Sequence, residues 1–357
     1  MNKIIRKDVN IIKFSVLDLA YLREGQTYRE SYQDLINLAK KAESYGYERY
    51  WIAEHHNSKA IGSSATQLLI QYTLAQTEKI RVGSGGVMLP NHSPYLVAEQ
   101  YGTIETLYPG RLDLGLGRAP GTDIHTARAL RRTIDLNTDF EKEIAELDSY
   151  FKGTSVVQAY PASGLQVPKY ILGSSTDSAH LAAKLGLPYA FAAHFAPAAM
   201  EVAIRIYREE FKPSSELKEP YVILALNAIV ADTDEEAKRL ATSQTQAVLG
   251  LVTNEQKGIL PPKNEEDVWK DYIMATKVPH FGPIAFEIEG IVNREREVVE
   301  SMTGLSLIGS PDTVSRQLKE LRERVKIDEI MVNSFIYDQE AQIYSFKLLA
   351  DVIKEQF

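Results

Sequence analysis

Apolar positions along this chain alternate between two periods. Short runs rich in β-branched and aromatic residues read as strands. Each is followed by a longer stretch with apolar residues three and four apart, the spacing of one helix face. Strands are predicted at 11–17, 49–53, 80–84, 111–116, 168–172, 189–193, 221–231 and 329–333. The first helix, 30–45, places Tyr32, Leu35, Ile36, Leu38, Ala39 and Ala42 on one side and stops at Gly46. Further helices are predicted at 65–76, 124–151, 178–185, 198–211 and 339–353. Two more start at Ser93-Pro94 and Ser310-Pro311, an N-cap followed by a proline at the first helical position. Thr233 with Glu236 has the spacing of a capping box.

Eight strand–helix alternations imply a parallel sheet, because parallel strands need helical crossovers. With no break point among the eight units, the expected fold is α/β: a single (β/α)8 TIM barrel over 1–357. An open doubly wound sheet is the competing reading of the pattern. The irregular part is about 232–304, with Gly258, Pro261-Pro262, Pro279, Gly282-Pro283 and Gly290. It reads as an insertion after the seventh strand, on the face where barrel active sites lie, and so as a lid or a surface elaboration.

Composition narrows the chemistry. The 357 residues include no cysteine, which excludes disulfides, thiolate metal sites and a catalytic thiol. A net charge of −8 argues against nucleic acid or an anionic membrane as the main partner. The most apolar stretch, 189–204, is interrupted by His194, Pro197 and Glu201, and polar residues break the N-terminal segment, so neither a membrane span nor a signal peptide is expected. A cytoplasmic protein is the expectation.

In a barrel, chemistry gathers where strands end. Here those ends carry Glu54-His55-His56, then Gly85-Gly86 through Leu89, Asn91 and His92, then Arg118 among glycines, then Gly173-Ser174-Ser175-Thr176-Asp177-Ser178. Consecutive strand residues face opposite ways, so His55 and His56 cannot both face one ion, and no metal site is expected. Either histidine can serve as a base or satisfy a buried group. Glycines at a strand end mean a bulge or a flat ligand against backbone. The serine-rich segment opens a helix, where free N–H groups suit an anion, and ordinary capping is the alternative. No GxSxG hydrolase elbow and no phosphate-loop GK[ST] occurs.

Taken in order, WIAEHH (51–56), GSGGVMLPNHSPYLVAEQ (83–100), YPGRLDLGLGRAPG (108–121), YILGSSTDSAHLAAKLGLPYAF (170–191) and IGSPDTVSRQLKEL (308–321) resemble the bacterial luciferase-like flavin monooxygenase family. The resemblance spans nearly the whole chain and implies a barrel that binds FMN, usually reduced, at the strand C-termini. It implies Gly85 and Gly86 under the flavin ring, often joined by a cis peptide. It places Arg118, Ser174, Ser175 and Ser178 around the phosphate, His55 as base or proton relay, and Glu54, Leu89, Asn91 and His92 at the mouth. The implied activity is oxidation of a small organic substrate by dioxygen, with reduced flavin from a separate NAD(P)H:flavin reductase. A homodimer through helices near 65–107 is also implied. Light-emitting members carry a cysteine where this chain has Gly117, which argues against bioluminescence. A deazaflavin-dependent hydride-transfer enzyme and a non-catalytic flavin-binding relative are the alternatives.

Overall fold

A computed structural model describes residues 12–119, 123–131, 139–255, 257–276 and 289–356. Its strands are β1 (Lys13–Asp18), β2 (Arg49–Ile52), β3 (Arg81–Met88), β4 (Leu112–Gly117), β5 (Lys169–Gly173), β6 (Tyr189–Ala192), β7 (Val222–Val230), β8 (Leu307–Gly309) and β9 (Glu329–Asn333). Neighbours follow chain order from β1 to β6. Then β6 pairs with β7, β7 with β9 and β9 with β1, all in parallel. These pairings close an eight-stranded (β/α)8 barrel and exclude the open sheet. The ninth strand, β8, stands outside the ring on Ala228–Val230, where β7 runs past its barrel partners. At three residues it is too short to show a period.

The helices are α1 (Tyr28–Tyr45), α2 (Thr66–Gln76), α3 (Pro94–Leu107), α4 (Ile124–Arg131), α5 (Phe140–Lys152), α6 (Thr176–Leu185), α7 (Met200–Glu210), α8 (Asp234–Val252), α9 (Glu265–Thr276), α10 (Glu289–Thr303), α11 (Pro311–Arg324) and α12 (Gln339–Gln356). The pattern starts α1 two residues late, because Thr27 and Glu30 form a reciprocal capping box. The single helix expected over 124–151 is two, α4 and α5, and 132–138 lies outside the described residues. Thr233 does cap α8 by accepting from the Glu236 N–H. The Glu236 carboxylate turns instead to Arg239, so that box is half formed. The insertion is also more regular than its glycines and prolines suggest, since α9 and α10 lie within it. Pro279 and Gly282-Pro283 fall outside the described residues.

Alternation sorts each strand between two cores. One face of the strands packs outward against the helices. The other fills the barrel with Leu17, Trp51, Tyr170, Ile223 and Met331, and Trp51 meets Tyr170 edge-on at 4.9 Å. Towards the N-terminal ends of the strands the filling turns polar. Arg49 there bridges Glu329 (2.8 and 3.0 Å) and Asp113 (2.8 Å), and both carboxylates are fully buried. Trp51, Tyr221 and Arg81 donate further hydrogen bonds to them. This layer closes the bottom of the barrel and leaves the opposite mouth for the site.

Candidate active site at the mouth of the barrel

The ends of β3, β4 and β5 form one half of the mouth. The β3–β4 register shifts between Ser84 and Val87, and the Gly85–Gly86 peptide is cis. A Cβ on Gly85 would lie 2.7 Å from Leu17 Cδ1, and one on Gly86 would lie 2.8 Å from the Gly115 carbonyl oxygen. Barrel packing therefore demands glycine at both positions, and it leaves a surface of backbone against which a flat ligand can lie.

After β5, a Cβ on Gly173 would collide with Ser178 Oγ. That hydroxyl is 2.7 Å from the Ser175 carbonyl and 2.9 Å from Tyr189 OH, which itself lies 3.1 Å from the same carbonyl. Ser178 thus holds the loop in shape. Tyr189, its partner, was legible only as a strand residue. Ser175 is the N-cap of α6 and makes no side-chain cap bond. The first N–H groups of α6 stand beside Ser174 and Ser175, an arrangement suited to an anion. Arg118 Nη2 lies 3.7 Å from Asp177 Oδ2, so the guanidinium stands next to the start of α6.

A second cluster sits behind the glycine pair. Glu54 is 1% exposed. Its Oε1 is 2.8 Å from His56 Nε2 and 2.8 Å from His92 Nε2, and its Oε2 accepts the Met88 N–H at 3.2 Å. Burial pushes the Glu54 carboxyl up, but bonds from the two imidazoles outweigh it and hold the group below its usual range. The strand-alternation argument separates His55 from His56 but could not foresee that His92 would arrive from the next strand end. The three potential ligand atoms lie within 4.8 Å of one another, and hydrogen bonding among them already accounts for the arrangement. Two further residues expected at the mouth are buried. Leu89 is fully buried in the packing between barrel and helices, and Asn91 is buried too.

The other half of the mouth is a cavity of 970 Å³. Leu19, Tyr21, His55, His194 and Phe335 line its barrel side; the second half of α8, the 257–263 segment and α9 line its other side. The insertion therefore lies over the strand C-termini, as expected for a cover. Ile259 pins it there, donating to the Leu22 carbonyl and accepting from the Glu24 N–H, both at 2.9 Å. Among the described residues, the glycine pair, Arg118 and the 174–178 loop do not border this cavity, while His55 does.

His194 was hidden in an apolar run and is the residue the sequence reading missed here. It follows β6. Its backbone carbonyl accepts from Asn227 Nδ2 at 2.7 Å, and Asn333 Nδ2 in turn donates to Asn227 Oδ1 at 3.2 Å. Its Nδ1 is buried without a hydrogen-bond partner. Burial, with His55 adding in the same direction, lowers its pKa from 6.5 to about 4. The unfolded chain therefore takes up this proton first. The contribution to stability is complete above about pH 6.5 and falls as the pH drops towards 4. Replacing His194 by phenylalanine should flatten that part of the pH profile, as measured by urea denaturation across the window.

Residues 12–326 match the family model for luciferase-like monooxygenases. The chain belongs to that family. A luciferase-like monooxygenase from Escherichia coli strain K12 is 43% identical over 349 residues, which is 96% of this chain and 98% of the relative. The solved structure of apo-MsnO8 matches with a TM-score of 0.81 and 32% identity, covering 97% of this chain and 98% of that one. The oxygenating constituent of 3,6-diketocamphane monooxygenase from the CAM plasmid of Pseudomonas putida, solved in complex with FMN, shares the fold. It matches at TM-score 0.68 and 18% identity over 97% of this chain and 98% of that one. Family members are thus similar to this chain over almost its whole length. No helix among the described residues is long and apolar enough to cross a membrane.

Proposed function

We propose that this chain is an FMN-dependent monooxygenase that oxidises a small organic substrate with dioxygen. The observation that carries the reading is convergence. The backbone surface at Gly85 and Gly86, the Arg118 guanidinium and the open N-terminus of α6 lie on adjacent strand ends, as a flat ring with an anionic tail requires. The residues present fit FMN. Arg118, Ser174, Ser175 and the first N–H groups of α6 would hold the phosphate, Ser178 and Tyr189 would keep that loop in shape, and the glycine pair would lie under the ring. Bound FMN would supply the electrons and the site of dioxygen activation.

The protein's own groups would do the rest. His55, which borders the cavity, would act as base or proton relay. Glu54 would keep His56 and His92 in fixed orientations. The insertion over the mouth would exclude water. Reduced FMN would come from a separate NAD(P)H:flavin reductase, a reading supported by the described residues forming one barrel with the candidate flavin site at its mouth. Exposed apolar residues on α2 and α3 (Leu68, Tyr72, Leu96 and Leu107) favour a homodimer through these helices, which sedimentation equilibrium would report.

The test is an anaerobic titration of the full chain with reduced FMN, run in parallel with a reduced deazaflavin cofactor, followed by admission of oxygen. Saturable FMN binding and oxygen consumption are expected. Binding of the deazaflavin alone would move the protein to the hydride-transfer alternative, and binding of neither would refute the flavin reading.

A further inference from the structure

Ser84, legible in the sequence only as the end of the third strand, stands immediately before the glycine pair. The β3–β4 register pairs Ser84 with Leu114 and Val87 with Leu116. Gly85 and Gly86 therefore stand opposite a single residue, Gly115. A bulge of this kind interrupts the ladder, and buried backbone groups beside it must find partners of another sort.

Ser84 is that partner for Gly115. Its Oγ accepts the Gly115 N–H and donates to the Gly115 carbonyl, both at 3.0 Å. A hydroxyl carries one donor and two acceptor pairs, so one side chain can make both bonds. Ser84 is fully buried, and bulk water does not compete for them.

The fit leaves little play. A Cβ on Gly115 would lie 2.2 Å from the Ser84 carbonyl oxygen. The Gly115 carbonyl that Ser84 bonds is also the group against which Gly86 rests, since a Cβ on Gly86 would come within 2.8 Å of its oxygen. Beyond the pair, the Met88 N–H donates to Glu54 Oε2 at 3.2 Å. The bulge is thus anchored on both sides, to β4 through Ser84 and to the end of β2 through Glu54. Glycines carry no side chain with which to fix themselves, so these anchors set where their backbone lies. Gly85, between the anchors, is half-buried and offers backbone to a ligand.

We propose that Ser84 is a positioning residue for the flavin ring. Through its two bonds to Gly115 it fixes the backbone surface at Gly85 and Gly86 against which the ring lies. This rests on the reading of that surface as the ring site of a flavin enzyme. Without the hydroxyl, two buried backbone groups lose their partner, and the glycine pair shifts as they find others.

The test uses the full-length protein with FMN and lumiflavin, which has the same ring and no ribityl phosphate. Ser84→Ala should weaken both about three- to tenfold and by the same factor, because the loss is at the ring. Arg118→Ala, acting at the phosphate, should weaken FMN alone. The visible circular dichroism of the bound flavin reports what lies against the ring and should change in Ser84→Ala. Ser84→Thr keeps the hydroxyl and should restore both affinity and signal. Ser84→Cys, close to serine in shape but a weak donor and acceptor, should fall between wild type and Ser84→Ala. A purely structural role would lower the stability of the ligand-free protein and leave ring affinity and visible signal of the folded protein unmoved.

If folded Ser84→Ala binds both flavins as wild type does, with the same visible signal, the role of Ser84 is overturned while the flavin reading stands. A loss confined to FMN overturns it as well, because the ring is then not what Ser84 serves. If Ser84→Ala does not fold, Ser84→Cys decides by the same readouts, and wild-type behaviour of that variant overturns the part given to the hydroxyl. If wild type binds neither flavin, the ring site itself fails, and this proposal with it.

Discussion

Replacing Arg49 by alanine should lower the stability of the protein by about 3–5 kcal/mol, the cost of removing one partner from a buried ion cluster. Arg49 makes two hydrogen bonds to Glu329 and one each to Asp113 and the Tyr170 hydroxyl, and its guanidinium stacks 5.2 Å from the Tyr170 ring centre. Without it, Glu329 keeps only neutral donors, among them Ser15 and Tyr221, and Asp113 must rely on Arg81. A fully buried carboxylate with no counter-charge is the costly species, more so than the lost bonds themselves. The double variant Arg49→Met with Glu329→Leu should therefore be much less damaging than the sum of the two single changes. Urea denaturation of the three variants measures this. A loss under about 1 kcal/mol for Arg49→Ala would show that the cluster is not held together by this charge.

The second large effect belongs to the cofactor half of the mouth. Arg118→Ala should weaken FMN binding about ten- to thirtyfold and leave riboflavin binding unchanged. A hydrogen bond to a charged group contributes about 1.5–3 kcal/mol, and the exposure of Arg118 places it towards the lower end. The effect should shrink as salt is raised, because an exposed ion pair is screened. Parallel titrations with the two flavins report it. Equal losses for both would mean that Arg118 supports the loop and does not meet the phosphate. Its neighbour Asp177, on the same helix start, would then be the group that the guanidinium serves.

Much of this molecule can be read without coordinates, and the parts that cannot share a cause. All eight barrel strands lie where apolar runs predict them, because a strand buried on both faces leaves a local mark. Helix starts at Ser93-Pro94 and Ser310-Pro311 were legible because a proline at the first helical position is a local mark, although neither serine makes a side-chain cap bond. The short β8 left no such mark, and neither did the helices of the insertion, masked by the glycines and prolines around them. Leu89 stands at a strand end, where sequence suggests the mouth, and only the structure shows that it packs into the outer core.

By itself, the sequence determined the number and order of the barrel strands, the glycine-bearing ends of β3 and β5, the serine-rich start of α6 and the family to which the chain belongs. Each of these is set within a few residues, by periodicity, by capping or by the need for a missing side chain. The tertiary structure alone decided which distant groups meet. Closing the barrel brings Glu329 on the last strand to Arg49 on the second, and the register of β2 against β3 brings His92 to Glu54. The fold of the insertion over the mouth encloses a chamber that His194, otherwise one polar residue in an apolar run, borders. Such meetings depend on register and closure across the ring, which no local pattern encodes.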